Sequence, residues 1–244
     1  MKPFLVLQLR PEREAADEEF AAFLERGQLR EAQVRRIRLD EAPMPALSLD
    51  DYAGIIVGGG PGCVSDAPED KDPLEARIEA DILSLMPEVL ARDMPFMGCC
   101  YGMGILGHTL GGTVAKGRYG EPIGGVDCTL TEHGATDPIL ADLPRDFRAL
   151  VGHKEAVEDL PQGATHLVAS GPCPFQMIRA GRNVYATQFH PEAKGENFAN
   201  RIRIYRDRGY FDPADAEALT AACLAERVSV PERILSNFTR RFGG

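Results

Sequence analysis

Apolar residues along this chain follow two periods, and the place where one gives way to the other divides it. FLVLQL (4–9) is a short unbroken apolar run ending in a loop, which predicts a buried strand. Ala16, Phe20, Phe23 and Leu24 then recur at helical spacing among Glu and Arg. VRRIRL (34–39) alternates, as a strand nearer an edge would, and YAGIIVGGGPG (52–62) runs a third strand straight into a glycine turn. DPLE (72–75) supplies Asp as N-cap, Pro at the first helical position and Glu at the third. Leu74, Ile78, Ile82, Leu85 and Val89 continue it as one helix face, which Pro87 is expected to kink or restart. MPFMG (94–98) predicts a fourth strand, and YGMGILGHTLGG (101–112) a helix closed by a glycine pair. This rhythm predicts an α/β fold whose mostly parallel sheet is covered on both faces.

From about 113 to 190 the period shortens. GTVAK, GGVDCTL, HLVAS, FQMIRA and NVYATQF are β-rich pieces between Gly and Pro turns, and the last two predict a hairpin through Gly181–Asn183. Helices resume after 193, with DPAD (212–215) and SVPE (229–232) as capped starts. Leu219 and Cys223 line one of these helices; Ile234, Leu235, Phe238 and Phe242 line the other. No repeat or low-complexity linker interrupts the 244 residues, so the reading is one domain with a helical C-terminal extension at about 195–244.

Charge narrows the partners. Acidic residues outnumber basic ones 37 to 27, a net charge of −10, which argues against nucleic acid or an anionic membrane as the main partner. The arginine-rich RIRIYRDRG (201–209) reads as a solvated helix face. Six cysteines occur with no C-x-x-C and no zinc spacing, so neither a metal nor a cofactor is expected. No signal segment or long apolar span is evident, and free thiols in a reducing cytoplasm are the expectation.

The chemistry gathers in three places. Gly98-Cys99-Cys100-Tyr101-Gly102 has the form G-x-C-x-G between a strand and a helix, the thiol counterpart of a nucleophile elbow. The sharp turn should project Cys100 at a helix N-terminus, where partial positive charge favours the thiolate, and leave Cys99 in the core. Of the five histidines, only His190 ends an expected strand with a carboxylate two residues on, in QFHPE (188–192). Pro191 stiffens that link, so Glu192 can reach imidazole Nδ1 and leave Nε2 to the thiol. The bare N–H groups of VGGGPG (57–62), with that of Tyr101, could form an oxyanion hole, whereas a phosphate loop would need a G-K-[ST] that is missing.

Together, GGGPG, PFMGCCYGMG, VGHKEAV and ATQFHPE resemble the class I glutamine amidotransferases, above all the amidotransferase domain of GMP synthase and its stand-alone relatives, over about residues 50–195. The resemblance implies a flavodoxin-like three-layer sandwich that hydrolyses glutamine to glutamate and ammonia through a γ-glutamyl thioester. It implies Cys100 as nucleophile, His190 as general base and acid, Glu192 as its orienter, and Gly60 and Tyr101 as oxyanion donors. Gly59, GRYGE (with Tyr119 and Gly120) and GHKEA (with His153, Lys154 and Glu155) fall where the family holds the substrate's amino-acid end. The implied partners are a small-molecule substrate and, if ammonia is handed on, a separate synthetase subunit. One departure stands out: the family usually has Gln four residues after the nucleophile, and this chain has Gly104. The expectation is that Gly104 leaves space for a larger γ-glutamyl compound. A γ-glutamyl peptidase is therefore a further reading, and a non-catalytic binding module that kept the fold is a second.

Overall fold

The computed structural model describes residues 2–244. In chain order the elements are β1 (Phe4–Gln8), α1 (Arg13–Arg26), β2 (Val34–Arg38), β3 (Gly54–Val57), α2 (Pro73–Ala91), β4 (Phe96–Cys99), α3 (Tyr101–Thr109), β5 (Val114–Leu130), α4 (Glu132–Ala135), β6 (Asp146–Val157), β7 (Ala164–Ser170), β8 (Met177–Ala180), β9 (Val184–Thr187), α5 (Gly195–Tyr205), α6 (Ala216–Ala225) and α7 (Pro231–Phe242). Among the described residues the strands form one nine-stranded sheet in the order β2-β1-β3-β4-β9-β8-β7-β5-β6. The first five are mutually parallel and the rest antiparallel. The parallel half has the strand order of a flavodoxin-like sheet, with β9 as its fifth strand.

Strand alternation sorts the core into two layers. Phe4, Val6, Ile56, Met97 and Cys99 face Phe20 and Phe23 of α1 and Ile234, Leu235 and Phe238 of α7. Leu5, Leu7, Ile55, Val57 and Phe96 face Ile78, Ile82, Met86 and Val89 of α2 and Met103, Ile105 and Leu106 of α3. The last helix thus belongs to a covering layer, because its apolar stripe is what closes the first face of the sheet. A third cluster joins Leu150 to Phe198 and Ile202 of α5 and to Ala216 and Cys223 of α6.

Three local expectations change. Pro87 neither breaks nor restarts α2, which is continuous from Pro73 to Ala91; the ring sits on the exposed side, where water can hydrate the carbonyl that lacks its usual donor. Ser229 caps nothing: α7 begins after Val230 with no side-chain cap. GTVAK and GGVDCTL are one strand, β5, whose pairing with β6 shifts register on both sides of Glu121. The interruption that splits it in the sequence is a pair of bulges. No described helix is long and apolar enough to cross a membrane.

Candidate active site

Four parallel strands deliver the site at their C-terminal ends, where open α/β sheets place their ligands. β1 leads into Arg10, β3 into the turn Gly58-Gly59-Gly60, β4 into Cys100, and β9 into His190. Cys100 has φ 55° and ψ −91°, a strained conformation for a residue with a Cβ, held by its N–H donating to Thr187 O at 2.7 Å. The flanking glycines permit the turn: a Cβ at Gly98 would lie 2.9 Å from the backbone of Gly102. Cys99 is fully buried and Cys100 half-buried.

His190 and Glu192 lie at the same end. Glu192 Oε1 is 2.8 Å from His190 Nδ1, and Nε2 takes no partner among the described residues. A Cβ at Gly59 would lie 2.7 Å from the imidazole Cε1, so only glycine lets the ring approach that turn. The ring edge also packs on Phe198, with centroids 5.5 Å apart. Behind the pair stands a residue that the sequence reading missed. Arg201 is buried, and its guanidinium reaches Glu192 Oε1 at 3.0 Å and lies 3.2 Å from His190 Nδ1. The solvated-face reading of 201–209 therefore fails at this position: Phe198, Ile202 and Tyr205 form the buried stripe of α5, and Arg201 falls within it. A buried arginine needs a carboxylate, and Glu192 supplies it.

These contacts set the electrostatics. Burial pulls the His190 imidazole below its ordinary value, against the raising influence of Glu192 and with help from Arg201 and Arg10. Burial alone would raise the Glu192 carboxyl, but His190 and Arg201 outweigh it and hold the group below the usual carboxylate range. Burial pushes the Cys100 thiol up to about 12, against the pull of Arg10 and Arg201. Enclosure therefore works against the thiolate that the helix N-terminus favours.

Cys100, His190 and Gly60 border one open cleft of about 680 Å³, together with Arg10, Glu121, His153, Lys154, Arg201 and Tyr210. The N–H groups of Gly60 and Tyr101 take no partner among the described residues, whereas the Gly59 N–H donates to Glu19 Oε1 at 3.2 Å. Of the residues expected to hold the amino-acid end, His153 and Lys154 border the cleft; Tyr119 and Gly120 do not, and the bulged Glu121 does instead. Glu155 borders a smaller neighbouring pocket that also touches Cys100, and its carboxylate staples a loop, accepting from Val64 N at 2.9 Å and from Ser65 N at 2.8 Å.

Gly104 corrects an expectation outright. A Cβ there would lie 2.7 Å from Glu155 Oε1 and 3.3 Å from Val64 Cγ2. The room that glycine leaves is already filled by the Glu155 carboxylate, so it does not enlarge the cleft.

Glu121, His153 and Cys173 bring one ligand atom each within 4.8 Å of one another, a donor set that zinc could use. Their atoms are otherwise engaged. His153 Nε2 lies 2.8 Å from Glu121 Oε2, His153 Nδ1 lies 2.8 Å from Glu155 O, and Gln176 Nε2 donates to the same Glu121 oxygen. An N–H pointing at that oxygen is the wrong neighbour for a cation, and the three residues read as a hydrogen-bonded cluster.

Comparison with known proteins adds an independent line. The family model described as glutamine amidotransferase class-I matches residues 20–203. The chain is 29% identical over 170 residues to a glutamine-hydrolysing GMP synthase subunit from Haloquadratum walsbyi, covering 69% of this chain and 82% of that one. It is 32% identical over 150 residues to the GMP synthase of Bacillus pumilus, covering 61% of this chain but only 26% of that protein. A glutamine amidotransferase from Thermotoga maritima superposes with a TM-score of 0.78 at 19% identity, over 99% of this chain and 98% of that one, a likeness of fold.

Proposed function

The chain belongs to the class I glutamine amidotransferase family, and from that premise we propose that it releases ammonia from glutamine through a thioester on Cys100, with His190 and Glu192 completing a triad. The observation that carries this reading is the convergence of a strained cysteine elbow and a His–Glu pair with a free Nε2 on one cleft. Cys100 Sγ attacks the γ-carboxamide carbon while its proton passes to His190 Nε2. The tetrahedral oxyanion takes hydrogen bonds from the N–H groups of Gly60 and Tyr101. His190 then returns the proton to the departing nitrogen, and ammonia leaves a γ-glutamyl thioester. Water, deprotonated by His190, hydrolyses the thioester to glutamate and frees the thiol. Glu192 holds the imidazole tautomer, and Arg201 holds Glu192.

The acceptor of the ammonia is proposed to lie on a separate synthetase chain, by likeness to relatives that are named as one subunit of a GMP synthase. The γ-glutamyl peptidase reading loses its main support once Gly104 is seen to open no space. The test is glutamate and ammonia release from glutamine, together with labelling by a glutamine-like diazoketone. One label per chain, on Cys100, is expected, and His190→Asn should lose turnover as completely as Cys100→Ala. A fully active His190→Asn enzyme would reject the triad.

A further inference from the structure

The turn that offers Gly60 is a run of three glycines, held from behind by a buried charged pair. Glycine has the widest backbone freedom of any residue, so a fixed direction for one N–H there needs restraint from outside the turn. Two restraints are present. Gly58 N–H donates to Leu7 O of β1 at 3.0 Å, and Gly59 N–H donates to Glu19 Oε1 of α1 at 3.2 Å. The Gly60 N–H is the one left over, and Gly60 borders the cleft. Glu19 is fully buried, and its carboxylate accepts two further bonds, from Arg10 Nε at 2.9 Å and from Gln8 Nε2 at 3.0 Å. Arg10 donates in turn to the Tyr205 hydroxyl at 3.3 Å. The fit leaves no slack: a Cβ at Gly58 would lie 2.5 Å from Glu19 Oε2, and one at Gly59 would lie 2.7 Å from Arg10 Nη2. Buried ion pairs add little net stability over well-packed apolar residues of similar size, so packing alone does not call for one here. Both residues also lie outside the stretch 20–203 that the family model matches.

We propose that Glu19 is a positioning residue for the oxyanion hole: its carboxylate, steadied by Arg10, takes the Gly59 N–H and so fixes the turn with the Gly60 N–H directed at the developing oxyanion. The role rests on the hydrolase reading above. Without an acceptor, the Gly59 N–H would be left unpaired in the interior, and the peptide could rotate to find another partner. A donor that must be reoriented during the reaction stabilises the oxyanion less than one already in place. The loss should therefore fall on kcat and spare the affinity for glutamine, since the oxyanion exists only after attack.

The test compares two double variants, Arg10→Met with Glu19→Gln and Arg10→Met with Glu19→Leu. Neither strands a buried charge, and they differ in whether residue 19 offers the Gly59 N–H an oxygen. The Leu form should have a kcat about 10-fold below the Gln form, short of the roughly 10²- to 10³-fold cost of losing an oxyanion donor outright. Calorimetry with glutamine, with Cys100→Ala added to each, should give equal affinities, and iodoacetamide should alkylate Cys100 at equal rates in the two doubles. Equal kcat values would overturn the proposal. So would affinity or alkylation falling along with kcat, because that marks a general distortion of the site. Should the Leu form fail to fold, Glu19→Asp alone keeps the charge for Arg10 and draws the acceptor back by one methylene; its kcat should fall with KM unchanged, and a full kcat would sink the idea. Amide hydrogen exchange at Gly59, faster in the Leu form, reads the restraint without turnover. If the unmodified enzyme releases no ammonia, the hydrolase reading falls by itself, and the exchange rates alone decide whether Glu19 holds the turn.

Discussion

The molecule carries cysteine, histidine and glutamate together twice, and the two sets differ in what their atoms have left to do. In Cys100, His190 and Glu192, the cysteine sits on a strained elbow at the cleft, and the imidazole is anchored through Nδ1 alone. In Cys173, His153 and Glu121, the cysteine is fully buried and the imidazole is anchored through both nitrogens. A ring with a free Nε2 can carry a proton; a ring tied at both ends can only hold a neighbour in place. The free atom in the second set is a carboxylate oxygen instead. Residue type is thus a poor guide to role, and the count of uncommitted atoms is a better one.

Exchanging the thiols makes the contrast largest. Cys100→Ala should cut ammonia release from glutamine by at least about 10³-fold, as loss of a nucleophile does, with the melting temperature nearly unchanged. Cys173→Ala should keep turnover and lose about 1 kcal/mol of stability from a small buried cavity. Thermal melts and a coupled glutamate assay on both variants decide the matter. Activity lost equally in the two would mean that the second set takes part in the chemistry.

Much of the first set is legible in the sequence because its signals are local. The elbow pentapeptide and the short reach from His190 to Glu192 each lie within one turn of chain, and the parallel strands announce themselves as short apolar runs. The second set spans residues 121–173, and only the pairing of β5 with β6 and the fold of β7 bring it together. Its bulges look like a break in the pattern, so the sequence marks the segment GRYGE (117–121) but singles out Tyr119 and Gly120 within it, whereas Glu121 is the member that borders the cleft. Arg201 is hidden for a different reason. An arginine inside an amphipathic stripe reads as surface until the carboxylate that buries with it is known. The stripe Phe198, Ile202 and Tyr205 holds the clue, since Arg201 lies on the same side.

Arg201 also tests what holds the first imidazole below its ordinary value. Burial and the two nearby guanidiniums hold His190 below its ordinary value, so the acid limb of kcat/KM should fall below about pH 6.5. A depressed imidazole keeps its base form to lower pH, and activity is lost only as pH falls through that shifted value. Arg201→Ala removes one of the lowering charges while Glu192 continues to favour the imidazolium, so the limb should move to higher pH. Turnover at neutral pH should drop about 10- to 100-fold through the lost hydrogen bond to a charged carboxylate. Because breaking a buried pair costs roughly 3–5 kcal/mol, Arg201→Lys serves as the folded control, and its retained charge should leave the limb in place. Superimposable pH profiles for all three enzymes would confine Arg201 to a structural role.

The smallest expected effect reaches the second set without touching any of its three residues. Gly104→Ala on α3 gains about 1 kcal/mol of helix propensity, but the new Cβ lies 2.7 Å from Glu155 Oε1. That carboxylate cannot swing aside cheaply, since Val64 N, Ser65 N and Ser65 Oγ all donate to it. Overpacking of this kind costs typically about 1–3 kcal/mol, so the net change should be a modest loss of stability. The displaced residue also carries the carbonyl that anchors His153 Nδ1, and the strain should pass through His153 to Glu121. The expected kinetic signature is a KM raised a few-fold with kcat nearly intact, because binding is disturbed while the elbow and His190 are not. Gly104→Gln should be worse in both respects and should not improve glutamine use, contrary to what an open space at 104 would predict. A Gly104→Ala enzyme with unchanged melting temperature and unchanged KM would show that the 63–66 loop yields freely, and that the second set owes its position to something other than the Glu155 staple.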